Sequence, residues 1–464
     1  MEEVEIIGKT NDSNDDKSEK NDSVEVYVFV LFDGTNNNMY NIETYRKLDD
    51  EKQYKGLKKF LAKIKRPSSK QEFSNVARLS KVCKEKVSSD KWVSYVYVDG
   101  IGTSTTWDSP LAGDGLGVGD LGVEAKVQKG CELVVQCINR MAEESGKSCD
   151  ITLNLAATGF SRGAAAARRF VSCVNERKGG QSPYDVCLSN HLNKSLCPEV
   201  CLSGDIKVPI LGVFDTVSSY GVKKTLVSSF KMLPKETLQK YADNVKELSL
   251  NELGNAENTF QLCAADEYRL HFGLTKLPDD DNNYTIPGCH SDIGGGYVDN
   301  KVEKYSVKFI KEKYEMVRLG NGNKTKEELL DEGWFTETDL AIGARVVSNK
   351  YSFIPFTYML EKVFKEHLSS VKSILFDDGA RAKEKFGKEA WESDAGLEAD
   401  EKAVLNEFLG MVMSKKKFYS SPKKPKYLLG NMDRLRFLRN KFIHLSSKFS
   451  LTNMASPDNE RIVM

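Results

Sequence analysis

An α/β fold built on a mostly parallel sheet is what the sequence predicts, and three observations carry that expectation. Apolar, β-branched runs recur at 24–32, 92–98, 153–158 and 208–213 with little polar alternation, the pattern of strands buried on both faces. Stretches with helical periodicity lie between them, at 74–86 and 123–141. The segment 153–170, LNLAATGFSRGAAAARRF, then compresses a strand, a sharp turn and an alanine-rich helix into a few turns of chain.

Taken in order, residues 1–23 are acidic and polar and are expected to form a disordered tail. They offer neither the cationic start nor the apolar centre of a cleavable signal peptide, and no run approaches the ~20 apolar residues that span a bilayer. The expectation is a protein made in the cytoplasm, with any export using a route independent of such a signal. The strand at 24–32 ends in FDGTNNN. The carboxyl end of a strand in an open α/β sheet is where ligands bind, so Asp33, Gly34, Thr35 and Asn36 become candidates, although Asp, Gly and Asn are also ordinary turn residues. The strand at 92–98 likewise runs into DGIGT. Glycine-rich 113–122 lacks a GK[ST] ending and a strand directly before it, so it reads as a site rim rather than a phosphate cradle.

Within GFSRG, Gly159, Ser161 and Gly163 have the spacing of a nucleophile elbow, in which a strained turn lifts a serine above the sheet. The N-terminus of the following helix faces the place where an oxyanion would form. The strand at 208–213 leads into Asp215, the place of the acid in an α/β-hydrolase core. Residues 218–258 read as a polar insertion. QLCAADEYRLHF, 261–272, reads as a helix. PGCHSDIGGGY follows, with His290 after a short strand and Asp292 in the same loop. Five histidines leave few candidates for a base, and the order Ser161, Asp215, His290 is the Ser, acid, His order of that fold; His444 is the alternative base. Backbone N–H groups of Arg162 and of Gly34 or Thr35 are the expected oxyanion donors. Asp33, Asn36 and Asp292 belong to the supporting loops.

From 301 to 430 the pattern is helical, with an aromatic run at 351–364, and is expected to form a cap, lid or membrane-docking region on a core spanning 24–300; the apolar face of that run reads as core against the sheet, with a surface that admits lipid tails as the other reading. Residues 431–464 form a C-terminal element returning to that core. Lys plus Arg and Asp plus Glu balance at 67 each, which excludes the charge signature of a nucleic-acid binder. The basic clusters 415–417 and 423–426 read as solvated surface, with anionic lipid headgroups as the other reading. The ten cysteines show no CxxC pair, so no metal is expected, and no cofactor either. They read as buried thiols, with Cys187, Cys197 and Cys201 the candidates for a disulfide in an oxidising space.

LFDGTNNN, YVDGIGT, GDLG followed by EAKV, GFSRGAAAAR, GVFDTVSS, AADEYRLHF and PGCHSDIGGGY, with RFLRNKFIHLSS near the C-terminus, resemble in order and spacing the bacterial α/β-hydrolase family that contains the type VI secretion lipase effectors of the first family, phospholipases A. The motifs fall within 24–300 and 434–446, and none falls in 1–23 or 301–430. The resemblance implies Ser161 as nucleophile, Asp215 as acid and His290 as base, and a phospholipid substrate reached by peripheral membrane contact. It also implies delivery by a type VI carrier into a target cell's periplasm, and an immunity protein as partner. Two other readings stand beside it: a soluble carboxylesterase, and a non-catalytic interaction protein on a hydrolase scaffold.

Overall fold

A computed structural model describes residues 22–50, 71–103, 122–176, 183–218, 243–269, 271–304, 326–419, 427–428, 430–445, 461 and 463. The expected tail up to residue 21, the glycine-rich rim except Gly122, much of the polar insertion and the basic cluster at 423–426 lie outside them, while Asp22 and Ser23, read as the end of the tail, open the first strand.

The central sheet has eight strands. β1 (Asp22–Phe32), β3 (Lys91–Val98), β4 (Cys149–Phe160), β6 (Lys207–Phe214), β7 (Thr259–Ala264) and β8 (Asn283–Ile286) pair in the order β3-β1-β4-β6-β7-β8, all parallel. The short β2 (Lys86–Val87) adds antiparallel to β3, and β5 (Val200–Leu202) pairs with β4. The parallel arrangement places the carboxyl ends of β1, β3, β4, β6, β7 and β8 along one edge.

Side-chain alternation sorts β1 between two cores. Val24, Val26, Val28, Val30 and Phe32 enter one apolar cluster, and Phe29 and Leu31 enter the other. The first face is covered by helices from 123–145 and 162–172, through Val127, Cys131, Val134, Ile138, Phe170 and Val171. The alanines 164–167 are fully buried there, and their small side chains let the helix lie close to the sheet.

The second face is covered by residues expected to form the cap. Phe353–Tyr358 is α-helical and continues into a π-helical turn, Met359–Phe364. Phe356, Met359, Leu360 and Phe364 are buried in the cluster that contains Phe29, Ile210 and Phe214. The rings of Phe29 and Phe364 lie 4.7 Å apart. The aromatic run is thus one of the two layers a doubly buried sheet requires, the core reading of its apolar face. Helices Ala399–Met413 and Met432–Phe442 complete this layer through Val404, Leu405, Phe408, Leu435 and Leu438. Nor is 301–417 wholly helical, because β9 (Lys301–Lys304) and β10 (Ala344–Val347) form an antiparallel pair.

The segment 261–272 is corrected as well. It begins as β7, whose residues Phe260 to Ala264 are all buried, and continues as a loop. Packing on both faces of a central strand overrides the helical reading. All ten cysteines are free thiols, so the expected Cys187, Cys197 and Cys201 candidates form no disulfide. Among the described residues no helix is long and apolar enough to cross a membrane.

Candidate active site

Ser161 stands at the junction of β4 and the helix Arg162–Ser172, with φ 61° and ψ −126°. A non-glycine residue there stores strain of roughly 1–3 kcal/mol, held by its surroundings. Its glycine neighbours explain how. A Cβ on Gly159 would meet the Gly163 carbonyl oxygen at 2.3 Å, and one on Gly163 would meet the Asp33 carbonyl oxygen at 2.2 Å. GxSxG is therefore a packing requirement of three converging backbones.

Asp215 follows β6 directly and also has a positive φ, 44°. The Ser161 N–H donates to the Phe214 carbonyl at 3.1 Å and the Val217 N–H donates to the Ser161 carbonyl at 3.2 Å, so the two strand ends are laced together. His290 opens a short helix, His290–Gly294, after β8. Its Nδ1 lies 2.6 Å from Asp215 Oδ2, and its ring packs on that of Phe160, the residue before Ser161, at 4.6 Å. Phe272 meets the imidazole edge-on at 5.0 Å. His290 Nε2 is buried and has no hydrogen-bond partner among the described residues, and no bond joins it to Ser161 Oγ. Ser161, Asp215 and His290 are 4%, 0% and 3% exposed, so the cluster is sheltered from bulk water.

The charges around this cluster include one that the sequence left unread. Arg461 forks onto Asp215, Nη1 to Oδ1 at 2.8 Å and Nη2 to Oδ2 at 2.6 Å. The Ala264 N–H adds a bond to Oδ1 at 2.8 Å. Burial alone would raise the Asp215 pKa, but the Arg461 charge and the His290 bond outweigh it and hold the carboxyl below the usual carboxylate range. For His290, burial is the largest influence and lowers the pKa against the pull of Asp215. Nothing in the segment around Arg461 announces this role, since an isolated arginine near the C-terminus carries no motif.

Asp266 and Glu267, on the loop after β7, hold the histidine turn from behind. The Gly288 N–H donates to Asp266 Oδ2 at 2.8 Å, and the His290 N–H donates to Glu267 Oε2 at 3.2 Å. Arg439 and Arg269 neutralise these carboxylates, Arg439 on Asp266 at 2.9 Å and Arg269 as a fork on Glu267. Asp292 accepts from the Cys289 N–H at 3.0 Å, closing the turn, and is paired with His444. His444, the alternative base, bonds Asp292 through Nδ1 at 2.7 Å, its Nε2 is buried without a partner among the described residues, and its ring is stacked on Tyr297 at 4.0 Å.

On the other side of Ser161 lies the loop after β1. Asp33 accepts hydrogen bonds from Ser74 Oγ, Tyr97 Oη and the Gly34 N–H, the last at 2.7 Å. Burial raises its pKa to about 6 against those bonds. The Gly34 N–H is spent on Asp33, which bears on its expected role as an oxyanion donor. Thr35 Oγ1 accepts from Arg162 Nε at 2.8 Å, bringing this loop against the start of the helix after Ser161. Asn36 has φ 60° and donates its N–H to the Ile101 carbonyl at 3.0 Å, tying the loop to the one after β3.

Residues 189–362 match the model of the type VI secretion phospholipase effector Tle1-like catalytic domain. The match takes in Asp215, His290 and Asp292, while Ser161 and the β1 loop lie before it. A Tle1 effector solved bound to the VgrG spike of the type VI secretion system aligns over 99% of this chain and 98% of its own, with 19% identity and a TM-score of 0.54. That likeness covers the fold. An uncharacterized Pseudomonas aeruginosa protein aligns over 89% of this chain and 52% of its own at 15% identity, with a TM-score of 0.40. No curated protein matches the chain. The Tle1-like match supports an ester hydrolase of the lipase kind.

Proposed function

We propose that the chain is a serine phospholipase A in which Ser161 is the nucleophile, His290 the base and Asp215 the acid. The observation that carries this reading is the 2.6 Å bond between His290 Nδ1 and Asp215, on a strand end laced to the strained Ser161. With Nδ1–H held by the carboxylate, Nε2 keeps its lone pair and takes the Ser161 proton as Oγ attacks the acyl carbonyl. The backbone N–H groups of Arg162 and Thr35 serve the oxyanion; one such donor is worth roughly 3 kcal/mol at the transition state. His290 returns the proton to the departing lysophospholipid alkoxide. Water, deprotonated by the same nitrogen, then releases the fatty acid and restores Ser161.

The phospholipid substrate is supported by the Tle1-like match, and it calls for peripheral contact with a bilayer. Delivery on a type VI spike into the periplasm of a target cell is supported by the similar effector bound to VgrG. An immunity protein would then protect the producing cell. The test is digestion of vesicles of phosphatidylethanolamine and phosphatidylglycerol carrying different acyl chains at the two positions, with products read by mass spectrometry. A single lysolipid series from the wild type and none from Ser161→Ala is expected. Equal turnover by Ser161→Ala would overturn the assignment, and hydrolysis of short-chain esters alone would make the protein a carboxylesterase.

A further inference from the structure

We infer that Arg461 is a positioning residue for the reaction, one that holds the Asp215 carboxylate in place and limits how much of its charge reaches His290. This rests on the reading of Asp215 and His290 as acid and base. Arg461 Nη2 and His290 Nδ1 both bond the same oxygen, Asp215 Oδ2, each at 2.6 Å. A carboxylate oxygen shared between a permanent cation and an imidazole stabilises the imidazolium less than one facing the imidazole alone.

The guanidinium is itself fully engaged. Nη1 also donates to the Ala264 carbonyl at 2.7 Å, and Nε and Nη2 donate to the Phe272 carbonyl, each at 3.3 Å. Phe272 is the residue whose ring packs against His290, so one side chain fixes the acid and the wall of the base together. Val463 forms a parallel bridge with Leu274, on the loop beyond Phe272. Arg461 is 2% exposed, so the pair is desolvated and the fork is strong in direction as well as charge.

Other groups face the same place. The Cys263 thiol lies within the field of Asp215 and Arg461 on β7. Glu267 and Arg269 act on His290 from the loop after β7, with opposite signs, and they bond each other. Gln261 on β7 bonds Thr216, next to Asp215, through its side chain. Arg461 is the cation that bonds Asp215 directly among the described residues.

The experiment titrates His290 by NMR in protein labelled at its histidines, whose small number makes assignment practical. It compares the wild type with Arg461→Gln and Arg461→Lys, alongside kcat and KM on a soluble ester. In Arg461→Gln the midpoint of His290 is expected to rise by about one pH unit, and the acid limb of kcat/KM to rise with it. Its kcat is expected to fall by about tenfold or more with KM little changed, because the carboxylate loses its clamp. Arg461→Lys, keeping the charge but one leg of the fork, should show a smaller rise. Should Arg461→Gln fail to fold, the Lys variant decides alone. A His290 midpoint that does not move in the folded variants overturns the proposal. The titration needs no turnover, so absence of lysolipid products from the wild type would count against the phospholipase reading separately.

Discussion

His444 holds Asp292 by two bonds, its backbone N–H to Oδ2 at 3.0 Å and its ring Nδ1 to Oδ1 at 2.7 Å. Asp292 closes the turn that begins with His290, so two histidine–carboxylate pairs meet in one five-residue helix. Only the pair formed by His290 and Asp215 joins the strand end that carries Ser161.

The two histidines are therefore expected to separate cleanly on mutation. His290→Ala should lower kcat by on the order of 10⁴ or more. His444→Asn should lower it by about tenfold and reduce the melting temperature, since it loosens the turn without removing the base. Steady-state kinetics with parallel thermal melts checks this, and an inactive His444→Asn with normal stability would reverse the roles.

The pH profile follows from the burial of His290. The base must be neutral to accept the serine proton. Burial favours the neutral imidazole, so the acid limb of kcat/KM is expected below the ordinary value of 6.5. A profile on a soluble ester between pH 4 and 8 measures it, and a limb above 6.5 contradicts the assignment.

Asp33 should leave a mark on stability. Its pKa is about 6 in the fold against 3.8 in the unfolded chain, so the native state binds the extra proton in that window. Stability from this group is full below pH 3.8 and is lost as pH rises toward 6, by roughly 3 kcal/mol. Asp33→Asn cannot titrate and should flatten that part of the curve. Chemical denaturation at pH 4, 5, 6 and 7 makes the comparison.

Two glycines around the cluster should differ in severity. A Cβ at Gly294 would meet the Phe160 ring at 2.0 Å, pressing on the ring that backs His290. Gly294→Ala is expected to cost about 1–3 kcal/mol and to lower kcat, because a side chain can give way. Gly163→Ala meets backbone of 32–33 instead, and should leave little folded protein. Soluble yield and melting temperature distinguish them.

Strands buried on both faces were readable because β-branched runs leave few alternatives, and β1, β3 and β6 fall within two residues of where the pattern put them, while β4 begins four residues earlier, at Cys149. The placement of Ser161, Asp215 and His290 along one edge was readable because each follows a strand, which fixes its edge of the sheet. What the pattern could not reveal depends on distant partners. Gln261 to Ala264 look helical until the neighbouring strands at 207–214 and 283–286 are in place. The run at 351–364 is apolar whether it covers a sheet or a mouth, and periodicity does not choose between them. Arg461 acts through a fork onto Asp215 and Tyr97 through one bond to Asp33, and no local spacing encodes such meetings.

The fork from Arg461 to Asp215 spans 246 residues of chain. A polypeptide emerging from the ribosome presents Ser161, Asp215 and His290 well before that cation exists, with the Asp215 carboxylate still lacking its counter-charge. Local strand pairing can proceed during synthesis, while this long-distance contact waits for Arg461 to emerge and return to β6. The completion of this cluster thus waits until translation has passed residue 461, 246 residues after Asp215.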